Sequence, residues 1–377
     1  MNEYLIMHRN TVIAKADDEV VTEIINKPLC PAMIFEGAYL ERWLRSRSVD
    51  THRSNSRRLY KALRLKNDAG ISEIISVGHG ITINDNWWIK RKDENINYDT
   101  ITDYNSEIAD ISLNGFSDKS VNISGYTQLG TTGSYEKAWR YIDGSWYMFK
   151  QGSKTELISE YFAFNFLKSL GKNVAEYRVN RQTLETGLEQ EYIVTRDFTE
   201  NGKYDFEPFF NYFDENEDYD FIISHLENIE RGSAVSGLVD DYAEMCFYDA
   251  LLFNVDRHNL NAGFLRDSNS GRIVCLSPLF DYNISLSAAG TLHFTDAKAD
   301  LMRYFMSNET CMNIIEPLMP ERDEIEYAIN RATRECRLAF PNDNFNYSLF
   351  ENYILSAYNH CSSGIERNNS QNSGIKR

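Results

Sequence analysis

No run of about eighteen apolar residues occurs anywhere in the chain, so no segment is expected to cross a bilayer as a helix. Met1-Asn2-Glu3-Tyr4 lacks the basic-then-apolar layout of a secretory leader, and the expected location is cytoplasmic. Cysteine is sparse and scattered: Cys30, Cys246, Cys275, Cys311, Cys336 and Cys361 form no C-x-x-C and have no histidine at metal-ligand spacing. Buried thiols are expected rather than bridges or zinc ligands. Positive charge is in deficit, with 39 Lys and Arg against 56 Asp and Glu and a net charge of -17. Because nucleic-acid affinity comes mainly from neutralising phosphates, this balance argues against direct nucleic-acid binding. No internal repeat is present.

What is there suits a folded protein of more than one core. A length of 377 residues exceeds the ~250 at which single cores stop growing. The N-terminal third holds one exception to the acidic balance. Between Arg42 and Lys66 stand Arg45, Arg47, Arg53, Arg57, Arg58, Lys61 and Arg64, against only Glu41 and Asp50. This basic face reads as solvated or as a docking surface for an acidic partner. Around His8-Arg9-Asn10 the alternation predicts a small hairpin, Gly37 to Leu65 reads mostly helical, and Trp87-Trp88 falls in a strand.

The chemistry concentrates in Asn254-Val255-Asp256-Arg257-His258-Asn259-Leu260-Asn261, followed by Asp281 at the end of Leu276-Ser277-Pro278-Leu279-Phe280-Asp281. An acidic base, an Asn five positions later and an Asp at a strand end are what a kinase uses to take a hydroxyl proton and hold Mg²⁺ on ATP phosphates. Between the two ligands, apolar runs flank the turn cluster Ser268-Asn269-Ser270-Gly271, which predicts a β-hairpin. Antiparallel pairing then sets Phe264 roughly opposite Cys275 and Asn261 roughly opposite Pro278. Two hard oxygen ligands brought close suit Mg²⁺, which keeps its remaining positions for phosphate and water. The helix ahead of the string carries Leu238, Tyr242, Met245, Cys246, Asp249 and Leu252 on one side and would anchor Asp256 at a fixed exit point.

Upstream, Gly130-Thr131-Thr132-Gly133-Ser134 offers backbone amides and small hydroxyls to phosphate. An Asp143-Gly144 hairpin turn separates this loop from Lys150. In kinases a Lys at this place neutralises phosphate oxygens and is oriented by a Glu on the next helix. That helix spans Thr155 to Leu170, with Glu160 as the expected partner and Glu156 in reserve. Strands follow at Tyr177-Arg178-Val179 and Glu191 to Thr195, and Thr195 to Phe198, with Asp197, read as the hinge that meets the adenine edge.

The string N-x-D-R-H-x-x-N, the P-x-x-D strand end and the G-S-x-E-K-A segment Gly133 to Ala138 resemble the HipA-like serine/threonine protein kinases, a bacterial toxin-type family. The resemblance covers roughly residues 120 to 350. It implies an α+β, bilobal protein-kinase-like fold with a small β-rich N-lobe and a larger helical C-lobe. It implies Asp256 as catalytic base, Asn261 and Asp281 as Mg²⁺ ligands, and Lys150, the Thr131–Ser134 loop and His258 as ATP contacts. It also implies a protein substrate and an antitoxin or docking partner. In that family a loop serine can be autophosphorylated; its place here is taken by Gly130, which moves the candidates to Thr131, Thr132 or Ser134. The N-terminal residues do not match the small domain of the best-known members. The expected division is an accessory module at 1–118, a nucleotide-binding lobe at 119–200, a helical catalytic lobe at 201–362 and a disordered tail at 363–377. A nucleotide-sensing binding module and a lipid or small-molecule kinase remain alternatives.

Overall fold

The protein is described by a computed structural model over residues 3–47, 58, 77–115, 136–184, 187–286 and 301–374, with side chains to 365. It divides into two compact units, one of residues 1–151, 180–214 and 263–277, the other of 152–179, 215–262 and 278–377. The boundary expected near 118 therefore falls inside the first unit, and the helix after Lys150 belongs to the second.

The first unit contains three antiparallel sheets. Strands β1 (Glu3–His8), β2 (Thr11–Asp17), β3 (Val20–Ile24) and β4 (Trp87–Arg91) are ordered β3-β2-β1-β4. The expected hairpin at His8-Arg9-Asn10 joins β1 to β2, and Trp87-Trp88 pairs along β1. Of the helix expected from Gly37 to Leu65, the described part is the short α1 (Leu40–Arg45). Residues 48–57 and 59–76 lie outside the described residues. Helices α2 (Tyr98–Ile101) and α3 (Ser106–Asn114) follow, each opened by an Asn whose side chain accepts a first-turn N–H.

Strands β5 (Lys137–Ile142) and β6 (Ser145–Lys150) form the second sheet with β7 (Tyr177–Thr183) and β8 (Glu189–Arg196), ordered β5-β6-β8-β7. Asp143 and Gly144 both take positive φ, 49° and 79°, as a two-residue hairpin turn that matches strand twist requires. The third sheet is β11-β10-β9, from β9 (Tyr204–Pro208), β10 (Gly263–Asp267) and β11 (Ile273–Leu276). At Gly263 a Cβ would come within 2.3 Å of the Glu207 carbonyl oxygen, so only glycine lets β10 approach β9 this closely.

Buried charges tie the N-terminal strands to this third sheet. Arg266 pairs with Glu207 and donates to the carbonyls of Pro28 and Cys30. Glu207 also accepts from the Ala32 N–H, and Asp205 accepts from His8 and Asn86. Residues 1–91 are thus built into the first unit, which is more than the expected accessory module.

The second unit is helical. Helix α4 (Lys154–Ser169) begins in a capping box between Ser153 and Glu156. It is followed by α5 (Tyr219–Gly232), α6 (Leu238–Leu251), α7 (Leu301–Met306), α8 (Glu309–Ile315), α9 (Arg322–Ala339) and α10 (Ser348–Gly374). Where a tail was expected from 363, α10 continues to Gly374, and Cys361 on its inner side is fully buried. Among the described residues no helix is long and apolar enough to cross a membrane.

Candidate active site

Helix α6 leads into the string Asn254 to Asn261. It carries Asp249 on the buried side and ends with Phe253 in the left-handed region at φ 51°. The Asn254 N–H bonds the Asp249 carbonyl and the Phe253 N–H bonds that of Ala250, the pairing of a Schellman cap in which glycine is usual. This cap fixes the direction in which the chain leaves the helix.

Asp256 then lies on the surface while Arg257 turns inward. The Arg257 guanidinium grips the Asp249 carboxylate through Nε at 2.8 Å and Nη2 at 3.0 Å. Its Nη1 donates to two carbonyl oxygens, those of Asn261 and of Phe280 at 2.9 Å. Its face covers the Tyr282 ring, 5.0 Å from the centroid. Burial alone would lower the arginine's pKa, but Asp249 beside it raises it, so the group stays charged.

Asp281 follows directly on Phe280 and is left-handed at φ 62°, a conformation aspartate tolerates better than most residues. Two contacts hold it there. The Asp281 N–H donates to the Tyr177 hydroxyl at 3.3 Å, and the Tyr282 N–H donates to Glu160 Oε1 at 3.2 Å. Glu160 is buried at 1 % exposure on α4, and its neighbour Ser159 donates to the Ser285 carbonyl. Burial, with the Glu160 and Asp281 carboxylates close by, pushes the Tyr177 phenol well above its usual pKa.

Asn261 is buried, and its Nδ2 donates to the Asp256 carbonyl at 3.3 Å, which leaves Oδ1 as the donor toward a cation. His258 accepts the Leu260 N–H at Nδ1, and its carbonyl accepts the Asn261 N–H. The second unit therefore brings Glu160, Asn261 and Asp281 into one hydrogen-bonded framework with Asp256 and His258 on the same loop. Asn261 Oδ1 and the Asp281 carboxylate are hard donors suited to Mg²⁺. Among the described residues no group of three or more His, Cys, Asp or Glu side chains could hold a metal.

In the first unit Lys150 ends β6, half-buried, opposite Lys137 on β5 and Ile193 on β8. Thr195 faces Met148 across β6 and β8. The Asp197 N–H donates to the Trp146 carbonyl. The Asp197 carboxylate closes a turn by accepting from Thr199 and Asn201, and burial raises its pKa against those bonds. Phe198 packs edge-on to Phe206. Gly130, Thr131, Thr132, Gly133 and Ser134 lie outside the described residues.

Two details differ from the expectation. The hairpin pairs Phe264 with Leu276 and Leu265 with Cys275, one residue from the expected register, because a bulge falls between Leu265 and Arg266. Arg47 leaves the basic face: it is 7 % exposed and bidentate on Asp85. Arg42 pairs with Asp214, and Arg45 with Glu41. Of the rest, Arg58 donates to the Gly115 carbonyl, and Arg53, Arg57, Lys61, Arg64 and Lys66 fall outside the described residues.

Sequence reading missed Asp249, Arg257 and Tyr177 as parts of the site. The available signal was Asp249 itself, since a carboxylate on an apolar helix face needs a buried partner.

No family model matches the sequence, and no curated protein matches it. Among solved structures the chain is similar to HipA of the Shewanella oneidensis MR-1 toxin–antitoxin system, solved with HipB and operator DNA. Identity is 12 %, the match covers 96 % of this chain and 97 % of that one, and the TM-score is 0.56. It is also similar to the Helicobacter pylori proinflammatory kinase CtkA, at 19 % identity over 60 % of this chain and 90 % of that one, with a TM-score of 0.38. At these identities the likeness is one of fold, and the HipA match gives the chain the expected kinase-like α+β fold.

Proposed function

We propose that the protein is a Mg²⁺- and ATP-dependent serine/threonine protein kinase. The observation that carries this reading is the framework of Asn261, Phe280-Asp281 and Glu160, held beside a surface-exposed aspartate five residues ahead of Asn261.

In this reading Asp256 accepts the proton of the attacking hydroxyl. Its exposure lets a protein side chain reach it. Asn261 and Asp281 hold the cation, which when bound neutralises charge on the phosphate oxygens. Lys150 contacts the nucleotide phosphates, and Glu160 keeps the Asp281 backbone in its left-handed turn. The roles proposed for the remaining candidates are contact with the adenine edge for Thr195 to Phe198 and hydrogen bonds to phosphate for Thr131, Thr132 and Ser134. HipA was solved with HipB; by analogy an antitoxin-type protein is a partner class for this chain, with the exposed arginines Arg42 and Arg45 part of the surface offered to it. The substrate is a protein hydroxyl, and the site is cytoplasmic.

Incubation with γ-labelled ATP and Mg²⁺, alone and with cell lysate, should label protein. Asp256→Ala should cut labelling at least about a hundredfold, as loss of a general base does, while fluorescent-ATP affinity stays within about threefold. Equal labelling by both proteins would remove the kinase assignment. Nucleotide-dependent partner capture without any labelling would leave the sensing module, and label found only in lipid or small molecules would leave the third alternative.

A further inference from the structure

Asp249 and Arg257 form an ion pair with side chains 7 % and 13 % exposed. Buried pairs are a weak source of stability, because apolar side chains of the same volume often serve as well. What an apolar side chain cannot do is hold two carbonyl oxygens at one nitrogen atom. Arg257 Nη1 does this for Asn261 and Phe280, while its other edge is locked on α6 by both oxygens of Asp249. One of those carbonyls belongs to a proposed cation ligand and the other to the residue immediately before the second ligand. The stretches that carry the two ligands are otherwise separated in sequence by the β10–β11 hairpin.

We propose that Arg257 is a positioning residue that fixes the spacing between Asn261 and Asp281 and so sets the cation affinity of the site. The cation part of this inference rests on the kinase reading; the spacing part does not. Lysine cannot replace it, since a single ammonium cannot chelate Asp249 and bridge both carbonyls with a planar fork. Asp249 acts one step further back, by orienting the fork.

The test uses the full chain as Arg257→Lys and as Asp249→Asn. Hydrogen–deuterium exchange of the nucleotide-free protein should speed up about tenfold in Arg257→Lys at both 258–262 and 279–283, as expected for loss of a hydrogen bond to a charged donor. α9 should exchange as in the wild type. Titration of a fluorescent ATP analogue with Mg²⁺ should show the half-saturating Mg²⁺ concentration about tenfold higher, with affinity in EDTA changed less than about twofold. Should Arg257→Lys fail to fold by circular dichroism, Asp249→Asn keeps the carbonyl bonds but loosens the fork, and should speed both segments about threefold. Unchanged exchange in either segment overturns the spacing role. An unchanged Mg²⁺ half-saturation overturns the effect on cation affinity. A wild-type protein whose nucleotide binding ignores Mg²⁺ overturns the kinase reading and the cation-affinity part of the proposal, while the exchange result still decides the spacing.

Discussion

A left-handed aspartate must be paid for by its surroundings, and Asp281 is held by groups that the sequence shows as unremarkable. Tyr177 reads only as one residue of a strand, yet its hydroxyl accepts the Asp281 N–H. Tyr177→Phe leaves that N–H without its acceptor, a loss of about 1–3 kcal/mol. Thermal unfolding should come several degrees earlier, and Mg²⁺-dependent nucleotide affinity should fall severalfold with affinity in EDTA unchanged. A variant indistinguishable from wild type in both measurements would show that Tyr177 does not support the turn. Asp256, Asn261 and Asp281, to which the proposed function assigns the chemistry, stood out in the sequence because their spacing has a mechanical reason. The residues that hold them were not, because an Arg in a polar loop and a Tyr in a strand look the same in sequence whether they face water or a buried partner.

At the level of elements, local signals transferred well and non-local ones poorly. Asp143-Gly144 announces its turn, Ser153 and Glu156 announce the start of α4, and the alternation around Arg9 announces β1 and β2. The β10–β11 hairpin was legible, but its bulge falls between Leu265 and Arg266, away from the turn residues that signalled the hairpin. Gly263 is the sharpest case, since nothing near it in the sequence demands glycine while β9 does. Gly263→Ala forces the two backbones apart and should destabilise the fold by about 1–3 kcal/mol, read as a lower midpoint in urea. A midpoint equal to wild type would mean that β9 gives way without cost. In the C-terminal segment a polar composition suggested a tail, and α10 runs on to Gly374.

Across the whole molecule, net charge and length set the frame, but the integration of residues 1–91 into the first unit was hidden in buried polar contacts. His79 is a buried polar group within the same segment: it is 6 % exposed and donates from Nδ1 to the Ile89 carbonyl. Burial lowers its pKa below the usual 6.5, against the raising effects of Glu94 and the Ile89 carbonyl. As pH falls, the unfolded chain takes up a proton that the folded one refuses, so this share of stability is full above about pH 7 and declines below about 6.5. Urea midpoints at pH 7 and pH 5.5 should differ less in His79→Asn than in wild type; an equal difference would assign the acid sensitivity elsewhere.

The Arg266 bonds to the carbonyls of Pro28 and Cys30 also impose an order on biosynthesis. The partners stand 238 and 236 residues apart. At a ribosomal pace of roughly 5–20 residues per second, the opening strands wait on the order of ten to fifty seconds for the arginine that completes their packing. Nascent chain emerging in that interval carries a half-finished polar interior, and newborn protein is most exposed to chaperones and proteases then.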